Sequence, residues 1–249
     1  MGFSFETVDA RDYEELRPGY APEAARWVFE RAELGPGSLV VDLAAGTGQL
    51  SRRFLELGVR VVAVEPARNM REVLAQALPA VRTLDGVAER IPLGDGVADA
   101  VVVGNAFHHL DEAAAFAEIR RVLRPKGALG IFWAWSSEDD GPIRAGLREV
   151  DEALARSRVA SAFVSAYLDW SEAPHPALGY ADVERREFPT THLLPSARLA
   201  DLYATSSDVA SIAEPDRSAL LERVRDRSRG FPETLELPIR SVVDLYERD

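Results

Sequence analysis

The residues with the clearest chemical reading are Asp42, Gly46, Gly48 and Glu65. Asp42 lies near the end of a short apolar run, Leu39 to Leu43. The turn Ala44-Ala45-Gly46-Thr47-Gly48 follows, and Leu50 to Leu57 reads as a helix. Glu65 closes a second apolar run, Arg60-Val61-Val62-Ala63-Val64. Strand, glycine turn, helix start and distant carboxylate form the layout with which an α/β protein holds an adenosine-containing cofactor. The glycines let the backbone come close, and the carboxylate accepts from the two ribose hydroxyls. Gly46-Thr47-Gly48-Gln49-Leu50-Ser51 nearly matches a dinucleotide fingerprint, with Ser51 at the third glycine. Asp42 argues against a nicotinamide or flavin dinucleotide: a pyrophosphate at that turn would be repelled by a carboxylate four residues before Gly46. A cationic amino acid head group would be attracted instead.

The elements that must carry these residues alternate between strand and helix. Short β-branched runs at Val81 to Leu84, Ala98 to Val103 and Ala128 to Trp133 continue the strand series. Helical patterns at Asn69 to Ala77 and Asp111 to Leu123 separate them, and Arg124-Pro125-Lys126-Gly127 reads as a helix stop and turn. This alternation predicts a parallel sheet covered by helices on both faces. Another helix, starting at Pro22 and carried by Ala24 to Ala32, precedes the first strand, and the segment Tyr13 to Tyr20 is available to fold over the glycine loop. Beyond Trp135 the pattern predicts helix over 140–170, a strand at Val183 to Phe188, helices at Ser196 to Tyr203 and Pro215 to Arg225, and a last strand at Thr234 to Ile239. We expect a single domain: a cap over 1–35, a cofactor-binding core over 36–135, a helical lid over 136–180, and completion of the sheet over 181–249.

Composition narrows the function. Hydrophobic residues make up 47% of the 249, enough for a sizeable core. The formal charge of −12 opposes a phosphate backbone as partner, so a small-molecule substrate is expected and nucleic acid is not. The chain has no cysteine, which removes thiol catalysis and cysteine-bound zinc. No run approaches the roughly 18 apolar residues of a membrane span. The start, Met1-Gly2-Phe3-Ser4-Phe5-Glu6, does not read as a secretion signal, so a cytoplasmic location is expected.

Six motifs together resemble, in order and spacing, the class I S-adenosylmethionine-dependent methyltransferases. They are Arg17-Pro18-Gly19-Tyr20; Val41-Asp42-Leu43-Ala44-Ala45-Gly46-Thr47-Gly48; Val62-Ala63-Val64-Glu65-Pro66 with Met70; Ala88-Glu89-Arg90-Ile91-Pro92-Leu93; Ala106-Phe107-His108-His109-Leu110-Asp111; and Glu118 through Ala128. The chain looks most like the small-molecule branch with the ubiquinone/menaquinone-biosynthesis and trans-aconitate methyltransferase-like proteins. The resemblance implies a doubly wound, Rossmann-like α/β fold with a seven-stranded sheet, an antiparallel last strand and a helical lid. It implies S-adenosylmethionine as cofactor and S-adenosylhomocysteine as product. By the same resemblance, Asp42 lies near the α-amino group, Gly46 and Gly48 admit the methionine portion and ribose, and Glu65, followed by Pro66, takes the ribose hydroxyls. Ala88 offers its N–H to adenine beside Glu89, and Met70 and Ile91 sandwich the ring. Arg17 meets the α-carboxylate, Tyr13 or Tyr20 closes the site, and Asn105 and Ala106 border the sulfonium. Ala44 stands where the family often has the first loop glycine; alanine is tolerated there if its φ is negative.

His108 and His109 follow the fourth strand, where α/β sheets open their ligand crevice. Adjacent residues in extended chain point oppositely, so one ring is expected to face the pocket. His108 is the candidate general base, needed only if the acceptor carries a proton at neutral pH; the bland alternative is that it shapes the pocket. A metal held by His108, His109 and Asp111 is not expected, because adjacent rings do not converge easily. His109, Trp133, Trp135 and Tyr167 are the candidate substrate contacts, with core packing as the alternative for the aromatics. A nicotinamide-dependent oxidoreductase and a non-catalytic binding or regulatory protein of the same fold remain as other readings.

Overall fold

The β-branched runs form strands where turn residues bound them. A computed structural model describes residues 5–136 and 180–248. Its strands are β1 (Leu39–Leu43), β2 (Arg60–Val64), β3 (Arg82–Leu84), β4 (Ala98–Gly104), β5 (Leu123–Ser136), β6 (Tyr180–Pro195) and β7 (Thr234–Arg248). They make one sheet in the order β3-β2-β1-β4-β5-β7-β6. The first five run parallel, and β7 inserts between β5 and β6, antiparallel to both. This is the doubly wound sheet with an antiparallel last strand that the sequence led us to expect.

Alternation along β1 divides the core. Val40 joins Ala63, Val102 and Phe132 on one face, under α2 (Pro22–Arg31) and α3 (Gln49–Glu56). Val41 and Leu43 join Val62, Val101 and Val103 on the other, under α5 (Glu112–Val122). Leu43 pairs with both Val64 and Val103, so β1, β2 and β4 end level. The chain therefore leaves three neighbouring strands at one edge, putting Ala44, Glu65 and Asn105 side by side. The strand order reverses between β1 and β4, which is where open α/β sheets form their crevice.

Several elements differ from expectation. α1 (Ala10–Leu16) is a helix that the apolar pattern does not announce; Asp9 caps it, accepting from the N–H groups of Arg11 and Asp12. α4 (Arg68–Ala77) begins one residue early. α5 does stop before Leu123, but 124–127 stay inside β5 as an irregularity. Pairing jumps from Ala98↔Leu123 to Ala100↔Ala128, and Lys126 has a φ of 62°. β6 and β7 run well beyond the expected Val183 to Phe188 and Thr234 to Ile239. Their pattern is obscured by charge: Arg185 faces Asp244 across the ladder, and its Nε and Nη2 donate to the two carboxylate oxygens at 2.6 Å. Asp244 is fully buried, so a polar residue here marks an interior. Between β6 and β7 lie a 3-10 turn (Ser196–Arg198), α6 (Leu199–Ala204), α7 (Ser207–Ala210) and α8 (Asp216–Ser228), with a core of their own. The helix expected over 140–170, with Tyr167, and residues 137–179 of the expected lid lie outside the described residues. Among those described, no helix is long and apolar enough to cross a membrane.

Candidate functional site

The loop after β1 is tight and left-handed. Gly46 has φ 57° and Gly48 φ 92°. A Cβ on Gly48 would lie 2.9 Å from side-chain atoms of Leu74 and Leu78, so this glycine lets the start of α3 press onto α4. A Cβ on Gly46 would approach only the Tyr13 ring, at 3.9 Å, leaving this backbone open toward a cleft. Ala44 departs from expectation: its φ is +54°, not negative. An L-residue there is strained by about 1 kcal/mol or more. The fold supplies the left-handed turn without the glycine.

Glu65 is 5% exposed. Its Oε2 accepts from the Gly46 N–H and its Oε1 from the Ala67 N–H, each at 2.8 Å. It thus ties the glycine loop to the start of α4 and retains acceptor capacity on both oxygens. Burial pushes its carboxyl up, and the two backbone donors and Arg71 pull it back down. Arg71 donates to the carbonyls of Glu65 and the exposed Pro66, at 2.8 and 2.6 Å.

Asp42 is 1% exposed and accepts from the Ser51 hydroxyl at 2.6 Å. Burial pushes its carboxyl up to about 7, against the hydroxyl and N–H of Ser51; the Glu65 charge adds to the rise. A buried carboxylate on a cleft wall, poised near neutrality, is a group that an incoming cation would ionise.

The N-terminal segment closes over this edge. Gln49 Nε2 donates to the Glu14 carbonyl at 2.8 Å, and Arg53 Nε to the Tyr20 carbonyl at 2.9 Å. Arg17 lies over the Tyr13 ring, 5.3 Å from its centroid. Tyr20 packs edge-on against Phe132 with its hydroxyl against Gly104, where any Cβ would collide. Asn105, with φ 47°, donates from Nδ2 to the Ala134 carbonyl and accepts from its N–H, adding a rung beyond the end of β4.

A narrow cleft of about 50 Å³, open to solvent, brings together Tyr13, Arg17, Tyr20, Asp42, Gly46 and Asn105, with Ala44 beside them. Gly48, Glu65, Pro66, Met70, Ala88, Glu89 and Ala106 do not line it. Tyr13 stands beside it: it is half-buried, its ring sits beside Gly46, and the Glu65 charge acts on it. Met70 and Ile91 are buried, at 1% and 2% exposure. Arg121 holds the loop that follows β3, donating to the carbonyls of Ile91 and Leu93. Glu89 accepts from the Asp111 N–H at 2.9 Å, joining that loop to the turn carrying the histidines.

The histidines lie in a 3-10 turn, Phe107–His109, not in extended chain, so their rings do not point oppositely, and neither lines the cleft. The two rings lie together, centroids 3.9 Å apart. Phe5 meets His109 and the fully buried Trp133 meets His108, at 6.0 and 5.7 Å. Burial pushes His108 down to about 3, helped by His109, and His109 down to about 4. Both are neutral imidazoles at physiological pH. Trp135 is half-buried under Arg240, 5.3 Å from its ring centroid. Among the described residues no group of three acidic or histidine side chains could hold a metal.

The sequence reading missed Phe5, Ser51 as the partner of Asp42, and Thr205, whose hydroxyl accepts from Arg17 Nε at 2.9 Å. Only Ser51, on the first turn of α3, carried a local signal.

The empty backbone approach at Gly46, the spare acceptor capacity of Glu65 and the buried acid Asp42 suit an adenosine joined to a cationic amino acid. Comparison with known proteins agrees. The methyltransferase domain family matches residues 41–131. An uncharacterized methyltransferase of Mycobacterium tuberculosis is 38% identical over 213 residues, 86% of this chain and 81% of that protein. An uncharacterized methyltransferase-like protein of Schizosaccharomyces pombe is 29% identical over 231 residues, 92% of this chain and 87% of that one. Among solved structures, a protein of Anaeromyxobacter dehalogenans assigned as a type II methyltransferase shares the fold. Its TM-score is 0.70 at 22% identity, over 94% of this chain and 97% of that one. The motifs along β1 and β2, the sheet order and this kinship agree: the chain belongs to the class I S-adenosylmethionine-dependent methyltransferases.

Proposed function

We propose that this protein binds S-adenosylmethionine in the cleft at the ends of β1, β2 and β4, and transfers its methyl group to an O, N or C atom of a small, partly apolar or aromatic molecule. The observation that carries the reading is Asp42, a buried acid held near neutrality on the cleft wall. A dinucleotide pyrophosphate has no use for it, and an α-ammonium group does. Arg17, on the same cleft, supplies the opposite charge for an α-carboxylate. Glu65 would take the ribose hydroxyls once Tyr13 yields space beside Gly46, and Met70, Ile91 and Ala88 would enclose the adenine. When bound, the cofactor supplies a methyl group already activated on a sulfonium and a neutral thioether as leaving group.

The protein's part is alignment and exclusion of water. Asn105 fixes the edge beside the cleft through its two bonds to Ala134. The His108–His109 pair, with Trp133 and Phe5, forms a neutral, largely dry wall for the acceptor; Trp135 and Tyr167 are the further acceptor contacts we assign. A His108 held near 3 accepts a hydrogen bond but takes up a proton poorly at neutral pH. Acceptors that need no proton removed before transfer fit this wall best.

The test is calorimetry with S-adenosylhomocysteine and NADH, then a metabolite panel screened with labelled methyl donor. Binding of the first ligand alone, and label on an apolar or aromatic metabolite, are expected. Tight NADH binding without response to S-adenosylhomocysteine would overturn the reading.

A further inference from the structure

Arg17 is not held by the sheet. It follows the last residue of α1, and its Nε donates to the Thr205 hydroxyl, 188 residues away in sequence. That hydroxyl is 2.6 Å from the Leu202 carbonyl and gives its single proton to it. The oxygen is therefore left as a fixed acceptor, facing Arg17. Thr205 is 1% exposed, so the bond is sheltered from water. Asp208, on α7, adds a counter-charge: its Oδ1 is buried with no hydrogen-bond partner, and the Arg17 charge opposes the upward push of burial on its carboxyl.

The other contacts of Arg17 fix the rest of its geometry. The guanidinium lies over Tyr13, and its two terminal nitrogens take no hydrogen-bond partner among the described residues, while the residue lines the cleft with Asp42. The helical segment between β6 and β7 is itself fastened to α1. Arg198 pairs with Asp12 at 2.7 Å and with Glu15 at 3.2 Å, and just before the segment, on β6, His192 Nε2 donates to the Leu16 carbonyl at 2.8 Å. Leu16 enters the core of that segment.

We infer that the β6–β7 helical segment is part of the cofactor site, with Thr205 as a positioning residue that aims the free fork of Arg17 at the cofactor's α-carboxylate. The inference rests on the function proposed above. An arginine fork bonds a carboxylate well only when its plane is set beforehand. Thr205 sets that plane by occupying Nε, and Tyr13 supports it from below.

The experiment compares two ligands by calorimetry: S-adenosylhomocysteine, and 5′-methylthioadenosine, which has the nucleoside but no amino acid. Thr205→Val should weaken S-adenosylhomocysteine binding on the order of tenfold, as for a lost hydrogen bond to a charged group, and leave 5′-methylthioadenosine within about twofold. Thr205→Ser keeps the hydroxyl and should restore affinity. Arg17→Lys keeps the charge without the fork and should reproduce the Thr205→Val loss. The double variant should lose no more than either single one, since both remove the same alignment. Equal loss for the two ligands, additive losses, or unchanged S-adenosylhomocysteine affinity in Thr205→Val would overturn the inference while leaving the proposed function standing. Failure of the wild type to bind either nucleoside would overturn both.

Discussion

On the function proposed above, the buried acid Asp42 should make cofactor affinity depend on pH. Burial holds its carboxyl up to about 7 in the free protein. An α-ammonium ligand prefers the ionised form, so binding below that value must first remove a proton. The ionised fraction is about ten-elevenths at pH 8 and about one-eleventh at pH 6, so affinity for S-adenosylhomocysteine should fall about tenfold between them, or about 1.4 kcal/mol. Calorimetry at pH 6 in buffers of different ionisation enthalpy should also register close to one proton released per ligand. Glu65 is raised by burial too, and 5′-methylthioadenosine, with the ribose but no ammonium, isolates its contribution. That ligand should show the smaller slope. Asp42→Asn should reduce the slope to that of 5′-methylthioadenosine and bind S-adenosylhomocysteine weakly at both pH values. The same shift carries a stability consequence. Asp42 binds its proton more tightly in the folded chain than in the unfolded one. Its contribution is therefore complete below about pH 4 and is lost as pH rises through about 7. Asp42→Asn should raise the melting temperature of the ligand-free protein at pH 8, by up to about 4 kcal/mol in stability, and not at pH 4. Equal S-adenosylhomocysteine affinity at pH 6 and pH 8, or equal slopes for the two ligands, would refute the assignment of Asp42 to the ammonium.

Glu65→Ala should weaken S-adenosylhomocysteine binding by about 1.5–3 kcal/mol; unchanged calorimetric affinity would place the ribose elsewhere. Gly48→Ala should destabilise the fold by about 2–4 kcal/mol in urea, because a φ of 92° and the Leu74 and Leu78 contacts both oppose a methyl group. Ala44→Gly should raise stability by about 0.5–1 kcal/mol by relieving its φ of +54°; a loss would mean that the strain is absent. With His108 pushed down to about 3, turnover at saturating ligands should show no histidine limb between pH 6 and 8. His108→Ala should lower turnover with S-adenosylhomocysteine affinity within about twofold. A limb near pH 6.5 that disappears in this variant would restore His108 as general base.

The parallel half of the sheet was readable because its determinants are local. β1, β2 and β4 are buried on both faces, so their sequences are continuous apolar runs bounded by turns. The antiparallel half was not readable to its ends. Asp244 and Arg185 sit in the middle of β6 and β7 and look like surface residues until they are seen to pair. A buried ion pair inverts the usual inference from charge to exposure. Likewise α1 shows no apolar stripe long enough to announce itself, and its order comes from the Asp9 cap and from docking of Leu16.

The candidate site divides along the same line. Asp42, Gly46 and Glu65 fall in one stretch of the chain, and their mutual distances follow from strand registry, so spacing alone brings them to one edge. What sets their chemistry does not follow from spacing. The pKa of Asp42 depends on how completely α3 covers it and on Ser51; neutrality of His108 and His109 depends on a 3-10 turn that stacks them and on the aromatic rings around it. Arg17 is the limiting case. Its type and position could be read from the chain, yet its orientation is decided by a threonine 188 residues later, in a segment with no recognisable motif. A cofactor site can thus be legible in its contact residues and hidden in the residues that aim them, because contacts are encoded by type and aim is encoded by packing.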